Sequence, residues 1–292
     1  METYPRQNEP ARPAIWERLQ TVDRRVLYSL IFLSVIIPVL HPLHLPTLTT
    51  PETQAFYDAV EALPAQSVVL FPFDFWPSTL AETEPMAVAA LRHCFRKDLY
   101  VVGLSNIGIG GPSVAERLLD SIGTEYGKTY GKDYVNLGYK AGYQAVLLGM
   151  GSSISGIFPT DHRGTRLEEL PLMQRVPNYD SVDFVLIVSD NAMVDYWVAL
   201  VNARYGLPMV AGVTAVMAPK MLSYVQARQL TGLLGGMKGA AEYESLIGQT
   251  AKASAGMDAQ SLIHFLIILF IAFGNVGYAV MRRRLRQSSR RG

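Results

Sequence analysis

Two apolar segments bracket this chain, and they limit what it can fold into more than any other feature. Residues 26–45 (VLYSLIFLSVIIPVLHPLHL) are entered directly from Arg24-Arg25. Residues 260–281 form the second segment, uncharged from Leu262 to Met281. A bilayer core of roughly 30 Å takes about 20 mostly apolar residues to cross. Leu262 to Met281 meets that requirement, with Asn275 as its one strongly polar residue. A polar amide there calls for a partner on another helix or a place near the interface. The first segment is weaker, because Pro38, His41, Pro42 and His44 crowd its outer end. A cleaved signal peptide is the rival reading, with an apolar core of about 7–15 residues. No small-x-small pattern follows through Thr50, and a long polar stretch precedes the segment, so an uncleaved anchor is expected.

Positive charge beside a span sets its orientation. Residues 1–25 hold Arg6, Arg12, Arg18, Arg24 and Arg25. Residues 282–292 hold Arg282, Arg283, Arg284, Arg286, Arg290 and Arg291 with no acid. Between His41 and Leu91 there is no Lys or Arg at all. Setting aside these eleven arginines and the four acids of residues 1–25 turns the chain's +1 into a net −6 for the middle. The expected layout is a cytoplasmic segment 1–25, a transmembrane helix 26–45, an extracytoplasmic domain 46–258, a second transmembrane helix 260–281 and a basic cytoplasmic tail 282–292. An acidic domain also argues against nucleic acid as a partner, since that interface needs a basic face.

Residues 1–12 are polar and carry Pro5 and Pro10, which predicts disorder. Ile15, Trp16, Leu19 and Val22 recur at helical spacing and predict a short interfacial helix. Within the domain, strand-like runs alternate with helix-like runs. Strands are predicted at 67–73, 98–105, 183–189, 207–214 and 229–236, with a further one at either 134–139 or 145–150. Helices are predicted over about 78–95, 112–126, 192–205, up to 227, and 238–247. Continuous apolar strands separated by helices describe a mostly parallel sheet covered on both faces. The fold class is therefore a doubly wound α/β sandwich flanked by two transmembrane helices. Residues 151–183, with Pro159, Pro171 and Pro177, are too long for a structureless loop unless they are functional or carry short helices.

In such a sheet ligands bind beyond the carboxyl ends of the strands. The polar residues there are Asp74, Ser105, Asn106, Asp190, Asn191 and Thr214, the candidate ligand-binding set. Ordinary βα turns use the same residue types for backbone reasons. The glycine-rich loop 103–113 (GLSNIGIGGPS) resembles a phosphate cradle, but Ser113 stands where a dinucleotide fingerprint needs glycine. Pro112 and Ser113 read better as a helix start, and no cofactor is expected.

Only His93 and His162 lie in the domain, so a three-histidine zinc site cannot be built. His93 and the single cysteine, Cys94, are neighbours on a helix and point apart, so they do not make a nucleophile–base pair. Cys94 also rules out an internal disulfide and is expected to be buried. A serine triad would have to use His162, with no nucleophile elbow to mark its serine. A serine–lysine pair could draw on Ser152 or Ser153 with Lys238, the weak catalytic candidates. Asp74, Asp190, Asn191 and Asp195 carry oxygen ligands, but nothing in their spacing demands a metal, and none is assigned.

The expected function is binding or assembly by a membrane-anchored domain that self-associates, with the lipid bilayer and another membrane protein as partners. Loop aromatics Phe73, Phe75, Trp76, Tyr126, Tyr130, Tyr134 and Tyr139 are available for an interface, half of them equally suited to the core. The alternatives are a serine hydrolase using Ser152 or Ser153 with Lys238, and a receptor for a small ligand at the carboxyl edge.

Overall fold

A computed structural model describes residues 23–43, 45, 48–249 and 251–288. The polar residues 1–12, the helix expected around Trp16, His44, Arg290 and Arg291 lie outside these. The chain divides into two compact units. One takes in the described residues up to Leu43 together with those from Asp258 onward, and the other takes in the residues between.

The larger unit is an α/β domain built on one open sheet of six strands, ordered β3-β2-β1-β4-β5-β6 and parallel throughout. The strands are β1 (Val68–Asp74), β2 (Tyr100–Ser105), β3 (Tyr134–Tyr139), β4 (Phe184–Ser189), β5 (Met209–Val213) and β6 (Leu233–Gly235). Successive side chains of a strand face opposite ways, and the core divides accordingly. Leu70, Val102, Val135, Val185, Ile187, Met209 and Ala211 belong to one apolar cluster, and Phe71, Val101, Leu186, Val188 and Val210 to the other. Nearly every strand position is buried, the signature of a sheet covered on both sides.

The helices are α1 (Arg24–Leu40), α2 (Pro51–Glu61), α3 (Leu80–Arg96), α4 (Gly111–Glu125), α5 (Tyr143–Met150) and α6 (Ile154–Ile157). Then come α7 (Met193–Trp197), α8 (Ala203–Tyr205), α9 (Ala218–Gln226), α10 (Gly236–Leu246) and α11 (Lys252–Ser288). Face one of the sheet carries α5, α6, α7 and α9. Face two carries α2, α3, α4 and α10.

Several sequence expectations resolve here. The third strand is 134–139, and 145–150 belongs to helix α5. Residues 151–183 carry α6 and three 3-10 turns, at Leu167–Glu169, Met173–Arg175 and Tyr179–Ser181. Their Leu167, Leu172, Met173, Val176 and Tyr179 cover face one, so this stretch is packed core cover. The helix expected over 192–205 is interrupted by a π segment, Val198–Asn202.

Helix α2 was not anticipated. Thr50 precedes it and Pro51 opens it, where a missing N–H costs nothing. Phe56 and Val60 then seal the sheet beside β6. Gly232 lies so close that a Cβ there would come 2.2 Å from the Phe56 backbone nitrogen. Pro72 also departs from expectation, because proline is rare inside a central strand. The β1–β4 register accordingly runs through Val69 and Leu70, skips Phe71 and Pro72, and resumes at Phe73 and Asp74.

The smaller unit corrects the expectation of two spanning helices. Among the described residues one helical stretch, Lys252–Arg283, is long and apolar enough to cross a membrane. Helix α1 has 17 residues with Pro38 inside it and stops at His41. At 1.5 Å per residue it reaches roughly 25 Å, short of a bilayer core. Within this unit the Leu43 N–H donates to the Asp258 carboxylate at 2.8 Å.

Candidate functional site

The strand order reverses between β1 and β4, since β2 and β3 lie on one side of β1 and β5 and β6 on the far side of β4. Helix α3 follows β1 on face two and α7 follows β4 on face one, so the loops leaving these strands part in opposite directions at the carboxyl edge, where sheets of this kind place a ligand crevice. Asp74 ends β1 there and is fully buried. Its carboxylate accepts from the Asn106 backbone N–H at 2.6 Å and from Asn106 Nδ2 at 3.0 and 3.2 Å. It also accepts from the indole N–H of Trp197 at 3.0 Å. Burial nevertheless dominates and pushes the Asp74 pKa up to about 6, against the pull of these donors.

Asp190, just after β4, accepts from the Trp76 N–H at 2.8 Å and the Thr79 hydroxyl at 2.6 Å. Asn191 donates to the Asp74 carbonyl and to Asp190 Oδ1, both at 2.8 Å. Ser105 donates to the Phe73 carbonyl at 2.7 Å. Asp74, Ser105, Asn106, Asp190 and Asn191 are thus brought together around the crevice. Thr214 lies one strand further out, where its carbonyl accepts from the Met217 and Ala218 N–H groups at the start of α9. Inside the network Asn106 Oδ1 is buried with no hydrogen-bond partner among the described residues.

The serines and the lysine are not brought together. Ser153 Oγ caps α6 by accepting from the Gly156 N–H, and that helix packs on face one. Lys238 stands at the start of α10 on face two and pairs with Glu242. Glu242 is itself buried and also accepts from the Thr50 N–H and hydroxyl. A cleft of about 240 Å³ opens beside Lys238, lined by Thr50, Ala215, Ala218, Pro219, Leu222 and Glu242 among others.

His93 is buried between the Tyr243 hydroxyl, 2.6 Å from Nδ1, and Glu61, 2.7 Å from Nε2. Burial pulls its pKa down to about 4. Cys94 is buried, and desolvation pushes its thiol up to about 12. His162 is exposed, and its N–H donates to the Asn136 carbonyl beside a second cleft of about 260 Å³. Asp195 is taken by Lys220 and the Tyr224 hydroxyl. Among the described residues no cluster of three or more His, Cys, Asp or Glu side chains could hold a metal ion.

No protein-family model matches the chain, and no curated protein matches it.

Sequence reasoning missed Trp197 and Thr79, which complete the crevice network. A tryptophan near a strand end is a hint only in retrospect, since its buried N–H needs an acceptor that the linear chain does not reveal. It also missed part of the rim. Of the seven aromatics offered for an interface, Phe73, Phe75 and Tyr134 are buried, while Trp76 and Tyr139 stand exposed. Ile109 and Val216 are exposed with them, at 66% and 90%, although neither was singled out.

Proposed function

We propose that the chain is a membrane-tethered α/β module that acts by binding, with the carboxyl edge of its sheet as the working surface. One observation carries this reading. Among the described residues from 45 to 257, the large apolar side chains left exposed are Leu45 and Leu48, where the chain enters the domain, and Trp76, Ile109, Tyr139 and Val216, which lie on loops or strand ends at that edge. Isolated exposed apolar residues are ordinary, but their collection at one edge next to a strand-order reversal marks an interaction surface.

The tether is the apolar stretch Lys252–Arg283. In this reading the apolar segment 26–45 as a whole makes the second crossing, being longer than α1 itself. The bond from Leu43 to Asp258 supports a hairpin of the two segments. The arginines at both ends then place both termini in the cytoplasm and the acidic domain outside. Protease added to intact, wall-stripped cells should digest the domain, and protection until lysis would overturn this topology. Self-association follows from the same reading, with Asn275 as the polar contact between copies within the lipid. Mass measurement in mild detergent should give more than one chain per particle, and a monomer at all concentrations would reject it.

A further inference from the structure

Three of the exposed apolar residues of the carboxyl edge, Trp76, Ile109 and Tyr139, lie on loops that touch one another. Gly108 lies against Tyr139, so that a Cβ there would come 3.0 Å from the ring. Gly110, with φ of 85°, lies against Pro77, where a Cβ would come 2.5 Å from the ring carbons. The loop that bears Ile109 is therefore wedged between Tyr139 and the Trp76-Pro77 turn. Val216 stands on the same edge of the sheet, in the turn after β5. From β3 to β5 this spans about 19 Å at the usual strand spacing.

Its charges suit a zwitterionic counterpart, since acids and a lysine stand at the same edge. Asp190 accepts from the Trp76 N–H at 2.8 Å and Glu82 from the Ala215 N–H at 2.8 Å, and both keep their negative charge. Lys140, next to Tyr139, is exposed.

Both ends of the domain lie at this same edge. Helix α10 starts at the carboxyl edge, directly after β6. Thr50 is bonded to Glu242 and shares the cleft that contains Gly235 and Ala215. After α10 the chain turns back: Glu244 holds the N–H groups of Ala251, Ala253 and Ser254, and Gly256 then lies against Met237 at the start of α10. The domain is thus entered and left beside the strand ends that carry Trp76 and Val216.

We infer that the carboxyl edge rests on the lipid headgroup surface, with Trp76, Ile109, Tyr139 and Val216 at the apolar–polar boundary and Lys140 among the phosphates. This deepens the binding reading and rests on the membrane tether it assumes. Tryptophan and tyrosine favour that boundary because an apolar ring body and a polar N–H or O–H are satisfied there together. A tether at the same edge keeps the bilayer at high effective concentration, so a patch too small to hold a free protein on lipid is enough.

The test uses the full chain in liposomes of phosphatidylcholine and phosphatidylglycerol containing a headgroup-nitroxide lipid. Ile109→Cys carries an environment-sensitive fluorophore, and Ala65→Cys, exposed in the turn before β1 at the opposite edge, carries it as the control. Cys94 stays in place because it is fully buried. Quenching at 109 should exceed that at 65 several-fold. It should fall towards the control in a Trp76→Ser, Val216→Ser background that keeps its thermal midpoint. Equal, weak quenching at both sites, in protein that survives a carbonate wash, would overturn the inference and leave the tether standing. Release by the wash would overturn the tether first. A label at 109 shielded from aqueous iodide yet untouched by the lipid nitroxide would assign the edge to a second copy or another protein, and would also overturn the inference.

Discussion

The indole N–H of Trp197 donates to Oδ2 of Asp74 across 3.0 Å, tying helix α7 to the end of the central strand β1. That bond crosses the place where the sheet changes direction, and it stabilises the charged form of a buried acid. Trp197→Phe removes the donor and leaves the ionised carboxylate less well solvated. Part of the loss, from the smaller ring in a filled core, is independent of pH. The rest is not: the variant should lose about 1–2 kcal/mol more at pH 8 than at pH 4.5. Denaturant midpoints at the two pH values check this, and equal losses at both would contradict it.

Asp74 and His93 oppose each other in their effect on stability against pH. Asp74 rises from 3.8 unfolded to about 6 folded, so its contribution is fully present at low pH and is lost as pH rises through that window. His93 falls from 6.5 to about 4, so its contribution is present at neutral pH and is lost as pH falls through nearly the same window. Each shift corresponds to about 3 kcal/mol. These two contributions should therefore nearly cancel between pH 4 and 6, leaving the decline towards acid set by the lowered carboxyls of Glu61, Glu84 and Glu242. Asp74→Asn should steepen that decline, and His93→Gln should flatten it. Thermal midpoints across the range would reveal both, and variants that keep the native slope would count against the pair.

Glu244 is buried and caps the start of α11, accepting from three backbone N–H groups at 2.9–3.1 Å and from the Ser254 hydroxyl at 2.7 Å. Glu244→Ala strands these donors and should cost about 2–4 kcal/mol. Glu244→Gln keeps one acceptor and should cost less than half as much. Hydrogen exchange at residues 251–256 should quicken in the alanine variant before the strands are affected.

Gly232→Ala should be among the most damaging single substitutions in the domain, because its Cβ would meet the backbone of Phe56 and not a movable side chain. A shift of α2 away from β6 should cost about 2–3 kcal/mol. Gly127→Ala, with φ of 65° but open space around it, should cost about 1 kcal/mol through backbone strain alone. If the two variants unfold at the same denaturant concentration, the close approach of α2 to β6 is wrong.

The sheet was legible because its strands are short apolar runs punctuated by glycine and polar turns, and five of the six lie close to their expected places. The sixth, Leu233–Gly235, is a three-residue pairing within a wider apolar stretch. Helix α2 escaped notice because Phe56 and Val60 make too brief an apolar stripe for periodicity to register. Lys238 looked unusual at a helix start, yet its partner Glu242 is simply one turn away. The Ser153 hydroxyl was equally ambiguous until it was seen capping its own helix.

Read as a string, the residues settle what depends on neighbours along the chain: the apolar C-terminal helix, the alternation of strand and helix, and burial on both sheet faces. Hydrophobic periodicity and length are local properties, so no tertiary information is needed for them. Strand order, and hence which turns share a crevice, depends on which strands pair, a choice made by long-range packing. Only the folded domain could therefore bring Asp74 to Trp197 over more than a hundred residues, tie Ser153 to its own helix and Lys238 to Glu242, and gather four scattered apolar side chains at one edge.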